Sequence, residues 1–235
     1  LIPINVTIYN NGTLTEDVPV KVSAKHKIVE KLWFDDVESG DQGYSHPEWG
    51  GEGYWNVVDF DFYSPYHAWY FGDPATKKYP AGMNAAFMLT PEGAVDWDAM
   101  KAAADADIVF KAKWDFAGDD FACPIIVDGN TWYFFISRSV HLNGSSGGWT
   151  EVKLSDLFAG YVSHYGLDSF LDLPDFYGFT NFRGFGIGIC SPGLGPTTGG
   201  KLGFLFDDIT AYMVYEGEEV WSTVYTVEDL DPGEY

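Results

Sequence analysis

The feature that most constrains this chain is a succession of short extended runs, each closed by a cluster of Gly, Pro, Asn or Asp. "INVTIYNNG" sets Ile4, Val6 and Ile8 against Asn5, Thr7 and Tyr9 and reaches a turn at Asn11-Gly12. "VPVKVSA" then alternates again, which is the pattern of a hairpin. Further extended runs follow at "AAFMLT", "DIVFKAKWDF", "PIIVDGNTWYFFISRSV", "WTEVKLS", "FRGFGIGIC", "KLGFLFDDITAYMVY" and "VWSTVYTV". Helical periodicity is confined to "WDAMKAAADA" (Trp97 to Ala106) and "LSDLFAGYVSHYG", which read as short connectors. Many short strands between turn signals predict an all-β sandwich.

The chain is long enough for a substantial core: 235 residues, 46% of them hydrophobic and 18% aromatic. Its 35 acids against 13 bases give a formal net charge of -22, which repels nucleic acid and anionic membranes. No run of about eighteen apolar residues offers a membrane span. The first residue is Leu1, so the expectation is a removed signal segment or a piece of a longer chain. Sequons at Asn5, Asn11 and Asn143 fit an exported glycoprotein. Cys123 and Cys190 either pair in an oxidising compartment or are buried as small apolar side chains.

Catalytic patterns are weak. The five histidines are scattered, with no H-E-x-x-H and no evident carboxylate partner, and "GSSGG" is not a nucleophile elbow. Asp96 and Asp98 in "VDWDAM" could in principle hydrolyse glycosides, but acids at a helix start explain them better. Binding is more plausible. From Tyr44 to Phe71 the chain crowds aromatic residues among glycines and acids, the chemistry of sugar recognition. Tyr44, Trp49, Tyr54 and Tyr66 are the candidate exposed platforms; the family resemblance given below implies that Trp69 and Phe71, and Trp55 with them, fill the core.

Two aromatic strands carry paired acids, "LWFDDVESGDQG" and "LGFLFDDITAY". If they are neighbours, Asp36, Glu38, Asp207 and Asp208 approach one another, and a hard cation such as calcium would relieve their repulsion. By spacing alone, Asp35 and Asp207 facing solvent is the simpler reading.

The order "FDDVESG", "HAWYFGDPATKKYPAG", "LTPEGAVDW", "VFKAKWDF", "GWTEVKLSDLFAG", "GFLFDDITAY" resembles the MAM-like and immune-inhibitor-A-like jelly-roll modules of secreted proteins, over roughly residues 32 to 216. In those families and related carbohydrate-binding modules, an acid of the first strand and an Asp of the last commonly hold a structural cation. The resemblance therefore implies calcium at Asp36 and Glu38 with Asp207 and Asp208. The chain departs from the pattern by inserting "VSHYGLDSFLDLPDFYGFTN" before the penultimate strand.

The flanks "VTIYNNGTLTEDVPVKV" and "VYTVEDLDPGEY" resemble parts of CARDB-type Ig-like modules of microbial cell surfaces. This implies a jelly roll (32–216) inserted into a partial Ig-like sandwich (1–31 plus 217–235), whose open strand edge invites a partner strand. The leading expectation is a non-catalytic, exported structural subunit of a filament or surface layer, self-assembling by strand complementation. The alternative is a carbohydrate-binding or adhesive module of a larger secreted protein, with polysaccharide as partner.

Overall fold

The computed structural model describes residues 16–40, 43–49, 54–103 and 105–230. In chain order the elements are β1 (Glu16–Asp35), β2 (Glu48–Trp49), β3 (Trp55–Val58), β4 (Ala68–Phe71), β5 (Asn84–Met88), α1 (Trp97–Ala102), β6 (Asp105–Asp115), β7 (Phe121–Asp128) and β8 (Thr131–Phe134). There follow β9 (Leu142–Asn143), β10 (Thr150–Lys153), α2 (Leu154–Tyr165), α3 (Leu173–Phe176), β11 (Phe182–Cys190) and β12 (Gly203–Leu230). The described residues form a mostly β sandwich of two sheets.

The chain divides into two compact units, Leu1–Ile28 with Tyr215–Tyr235, and Val29–Val214. In the smaller unit, strand residues of β1 and β12 meet: Lys25 Nζ donates to Glu216 at 2.5 Å, and Gly217 lies against the side chains of His26 and Ile28. The first hairpin, both of its sequons (Asn5 and Asn11) and the closing "DPGEY" lie outside the described residues. Most of the edge expected to recruit a partner strand lies there too.

The larger unit carries two sheets, one ordered β10-β6-β12-β4-β3 and the other β2-β5-β11-β7-β8, with β9 beside β7. Neighbours in both rows run antiparallel. Alternation sorts each strand between two faces. On β5, Ala85 and Phe87 enter the main core while Ala86 and Met88 face the other way. On β11, Phe185, Ile187 and Ile189 point into the same core. The two sheets join through aromatic edges: Phe87 of β5 meets Phe206 of β12 at 4.7 Å and Trp69 of β4 at 4.8 Å, both T-shaped. Trp55, Trp69 and Phe71 fill the core as the resemblance implies.

The helices do more than connect. Asp96 caps α1 by accepting from Ala99 N–H at 3.0 Å, which accounts for the acids of "VDWDAM". Four residues of α2, Leu154, Leu157, Phe158 and Tyr161, are buried in the core, and Gly166 ends the helix in a left-handed conformation. The inserted segment folds as the end of α2, a 3-10 turn (Phe170–Asp172) and α3, anchoring Phe170, Leu171 and Leu173 in the same core.

Candidate functional site

The two acidic ribbons do come together, through Ser64. Its hydroxyl lies 3.3 Å from the Asp36 carbonyl oxygen and donates to Asp207 Oδ1 at 3.0 Å. Asp207 follows the core residue Phe206 and so lies on the opposite face of β12, where Tyr63 and Ser64 cover it; a β-bulge follows between Asp207 and Thr210, with Asp208 in a left-handed conformation (φ 49°). Asp207 is fully buried, and Asp35 nearly so at 2% exposure, so the solvent-facing reading of these two is corrected.

The fold answers their charge with donors. Asp207 Oδ2 accepts from Tyr63 and Ser64 N–H, both at 2.9 Å, and Oδ1 accepts from Asp208 N–H at 2.7 Å as well as from Ser64. Asp35 accepts from Val37 N–H at 2.8 Å and from the Tyr44 hydroxyl at 2.7 Å. Burial still raises the Asp207 carboxyl above its usual range, the hydrogen bonds only partly opposing it.

Glu38 accepts from His67 N–H at 2.9 Å and lies 3.2 Å from His67 Nδ1, a carboxylate-histidine pair formed across 29 positions of sequence. Asp36 Oδ1 accepts from Glu38 N–H at 3.3 Å. Calcium needs six to eight oxygen ligands, and the carboxylate lone pairs of Asp207 already face N–H and O–H donors. Among the described residues no group of three or more His, Cys, Asp or Glu side chains converges as a metal site. As arranged, the Asp207 carboxylate has no lone pair left to offer a calcium ion.

The four aromatic candidates separate. Tyr44 is buried, its hydroxyl held by Asp35 and its ring 5.0 Å from Phe87, so it is a core residue and not a platform. Tyr54 is half-buried against the core. Tyr66 is 69% exposed and has positive φ. Trp49 is 43% exposed and has the most informative surroundings.

Trp49 and Phe134 lie on the strands at the two ends of the row β2-β5-β11-β7-β8, four strand spacings or about 19 Å apart. Their rings nevertheless meet at 5.9 Å. The sheet therefore bends, and both side chains reach inward over its outer face. The floor beneath them is small: a Cβ on Gly188 would sit 2.3 Å from Phe134 Cε1. Trp132 and Phe134 cover Ala86, Met88, Ile125 and Val127. The result is a partly exposed aromatic surface over Gly188 and the apolar side chains of Ala86, Met88, Ile125 and Val127. Trp49 is exposed, as the sequence suggests, while Phe134 beside it lies in a "TWYF" strand that reads as ordinary alternation.

Cys123 and Cys190 are buried thiols on this same side, packed with Phe121. The disulfide is not formed, and burial raises the Cys123 thiol, with Cys190 as its neighbour. Asn143 is exposed at the end of β9, its carbonyl accepting from Trp114 Nε1 at 3.0 Å.

Two clefts lie on the helical side. One, of about 590 Å³, runs between α2, the end of α1 and residues 168–172. The other, of about 400 Å³, lies between α1 and residues 171–185.

No protein-family model matches the chain, and no curated protein matches its sequence. Among solved structures, it is similar to a xylan-binding domain of carbohydrate-binding module family 22, formally an x6b domain. The TM-score is 0.39 at 10% identity, over 78% of this chain and 94% of that one. Among the described residues no helix is long and apolar enough to cross a membrane.

Proposed function

We propose that this protein is a non-catalytic carbohydrate-binding module that engages a polysaccharide through the aromatic surface of Trp49 and Phe134. One observation carries the reading: two rings from opposite edge strands of one sheet meet on its outer face, leaving Trp49 43% exposed. A sugar ring presents an apolar face of C–H groups, and the exposed Trp49 indole, with the Phe134 ring inclined to it at 60°, is a suitable partner for it. The overall charge of -22 favours a neutral or cationic polymer over an anionic one. An exported location, glycosylation at Asn143 and assembly with further copies are compatible with this reading and add nothing to it.

The test is retention of the full chain on xylan, cellulose, mannan and chitin. Trp49→Ala should weaken retention on the polymer that binds by about thirtyfold, the loss of an aromatic anchor being about 2 kcal/mol. Retention on none of the four, or retention unchanged in the variant, would refute the assignment.

A further inference from the structure

We propose that the exposed aromatic patch beside Arg138 is a second ligand site, for a uronic acid unit carrying one carboxylate within an otherwise neutral glycan. The chain has two arginines, Arg138 and Arg183, and they differ sharply. Arg183 donates to Glu92 at 2.5 Å and to the Gly129 carbonyl at 3.0 Å. Arg138 is exposed, and among the described residues no carboxylate pairs with it, although acids outnumber bases 35 to 13. Its contacts are the Tyr165 ring, 5.9 Å from the guanidinium, and the Ser137 hydroxyl at 3.5 Å. The backbone fixes its place: a Cβ on Gly160 of α2 would sit 2.0 Å from the Arg138 carbonyl oxygen, so only glycine lets this loop lie on the helix. Val140 N–H then donates to the Leu157 carbonyl of α2 at 3.0 Å.

Rings and hydroxyls surround this charge. Tyr165 meets Phe176 at 4.4 Å, and Phe176 meets Tyr177 at 5.3 Å. Phe176 is 49% exposed and Tyr177 40%, with Tyr177 anchored on the core ring of Phe135 at 5.4 Å. Burial raises the Tyr177 hydroxyl above its ordinary value of 10.0, and Arg138 is close enough to oppose that rise. The polar groups have hydrogens to spare. Tyr177 donates to the Tyr165 hydroxyl at 3.2 Å, leaving the Tyr165 hydrogen unused, and the Ser137 and Tyr161 hydroxyls share one bond at 2.9 Å, so one hydrogen remains there too. A guanidinium offers five N–H donors and no acceptor. The matching ligand accepts hydrogen bonds, balances one positive charge and lays apolar surface on Phe176 and Tyr177. A pyranose bearing a carboxylate does all three. The acids of the neighbouring segment do not compete for Arg138, because Lys101 lies 3.3 Å from Asp172 Oδ1 and donates to Asp175. A polymer of uronic acids would be repelled by the charge of -22, whereas a lone acid unit meets the local field of Arg138, since exposed charges beyond about 8 Å are largely screened at physiological salt. A peptide ending in a carboxylate fits less well: the groups lie on α2, at the end of α3 and in a loop, and none belongs to a strand that a peptide could extend.

The choice of a glycan as ligand rests on the reading above, but the site shares no residue with the Trp49 surface, so the two fail separately. The experiment is titration of the full chain, labelled with ¹⁵N at arginine, with the methyl glycosides of glucuronic and galacturonic acid, and with those of glucose and galactose as neutral controls. Two Nε–H resonances are expected, and that of Arg138 is assigned by its loss in Arg138→Gln. At least one uronide should shift it saturably, about tenfold more tightly than its neutral counterpart and equally well in Trp49→Ala, while the Arg183 resonance stays in place. Binding to the variants is followed on the methyl resonance of the glycoside itself. Arg138→Gln should weaken the uronide about tenfold or more, the scale of losing a hydrogen bond to a charged group. Phe176→Ala should weaken it about fivefold through loss of the apolar face, with the Arg183 resonance unmoved to show that the fold is retained. Four results overturn the proposal: no saturable shift with either uronide up to its solubility limit, neutral glycosides binding as well as the uronides, affinity unchanged in Arg138→Gln, or acetate or N-acetylphenylalanine binding at least as tightly as the uronides.

Discussion

Adding one methyl group at Gly188 tests the geometry of the aromatic surface. A Cβ there would lie 2.3 Å from Phe134 Cε1, 2.6 Å from Cδ1 and 2.8 Å from Ile125 Cγ2. Comfortable carbon-carbon contacts are about 3.5–4.0 Å, so the Phe134 ring must retreat by more than about 1 Å. The effect is purely steric, because Gly188 is not among the glycines with positive φ. Overpacking of this kind costs about 1–3 kcal/mol. With a urea dependence of about 2 kcal/mol per molar, Gly188→Ala should lower the unfolding midpoint by about 1 M. Phe134→Ala removes the obstructing ring. The double variant should therefore be less destabilised than the sum of the singles, by about 1–2 kcal/mol. Because Phe134 braces Trp49, Gly188→Ala should also reduce polysaccharide retention. Additive single effects, or a Gly188→Ala chain within about 0.5 kcal/mol of the parent, would refute the picture of Phe134 lying on the Gly188 floor.

Other outcomes follow from the buried acids. Asp207→Asn keeps the shape but turns an NH₂ toward the Tyr63 and Ser64 N–H groups in one flip and toward the Asp208 N–H in the other, so a loss of about 1–3 kcal/mol is expected in chemical denaturation, and a neutral result would deny the carboxylate its role. Burial, the largest influence on Asp107, raises its carboxyl above the ordinary value of 3.8, so the folded state binds that proton more tightly than the unfolded chain. Its contribution is fully present below the unfolded value and is lost as pH rises through the folded one. The stability of the parent minus that of Asp107→Asn should accordingly be larger near pH ~4 than at pH ~7, and the opposite ordering would reverse the assignment. For calcium, the donors crowding Asp207 predict the same melting temperature with and without chelator. A fall on chelation would show a native-state ion that raises stability by mass action.

Much of the sandwich was legible because side-chain alternation is local. "FRGFGIGIC" had to present Phe185, Ile187 and Ile189 to one side whatever lay opposite, and they are core residues. The aromatic strand "HAWYFG" likewise delivered Trp69 and Phe71 to the interior. The paired acids were visible too, and so was the likelihood of trouble in burying them. Which acid goes inside was not. The Tyr63–Ser64 segment decides it by covering Asp207, and nothing in the acidic strand itself shows that this segment comes to lie over it.

Side chains that meet across the sheet escaped altogether. Tyr44 reads as a surface ring until Asp35 is seen to take its hydroxyl, and Glu38 has no evident partner until His67 arrives from 29 residues away. Trp49 and Phe134 are separated by 85 positions and by the full width of a sheet, and nothing in either segment encodes the bend that joins them. The sequence by itself determined which residues must leave water and with what period, because desolvation and backbone geometry act along a few neighbouring positions. The tertiary structure alone decided which of those residues touch, because contact depends on register, curvature and loop closure summed over the whole domain.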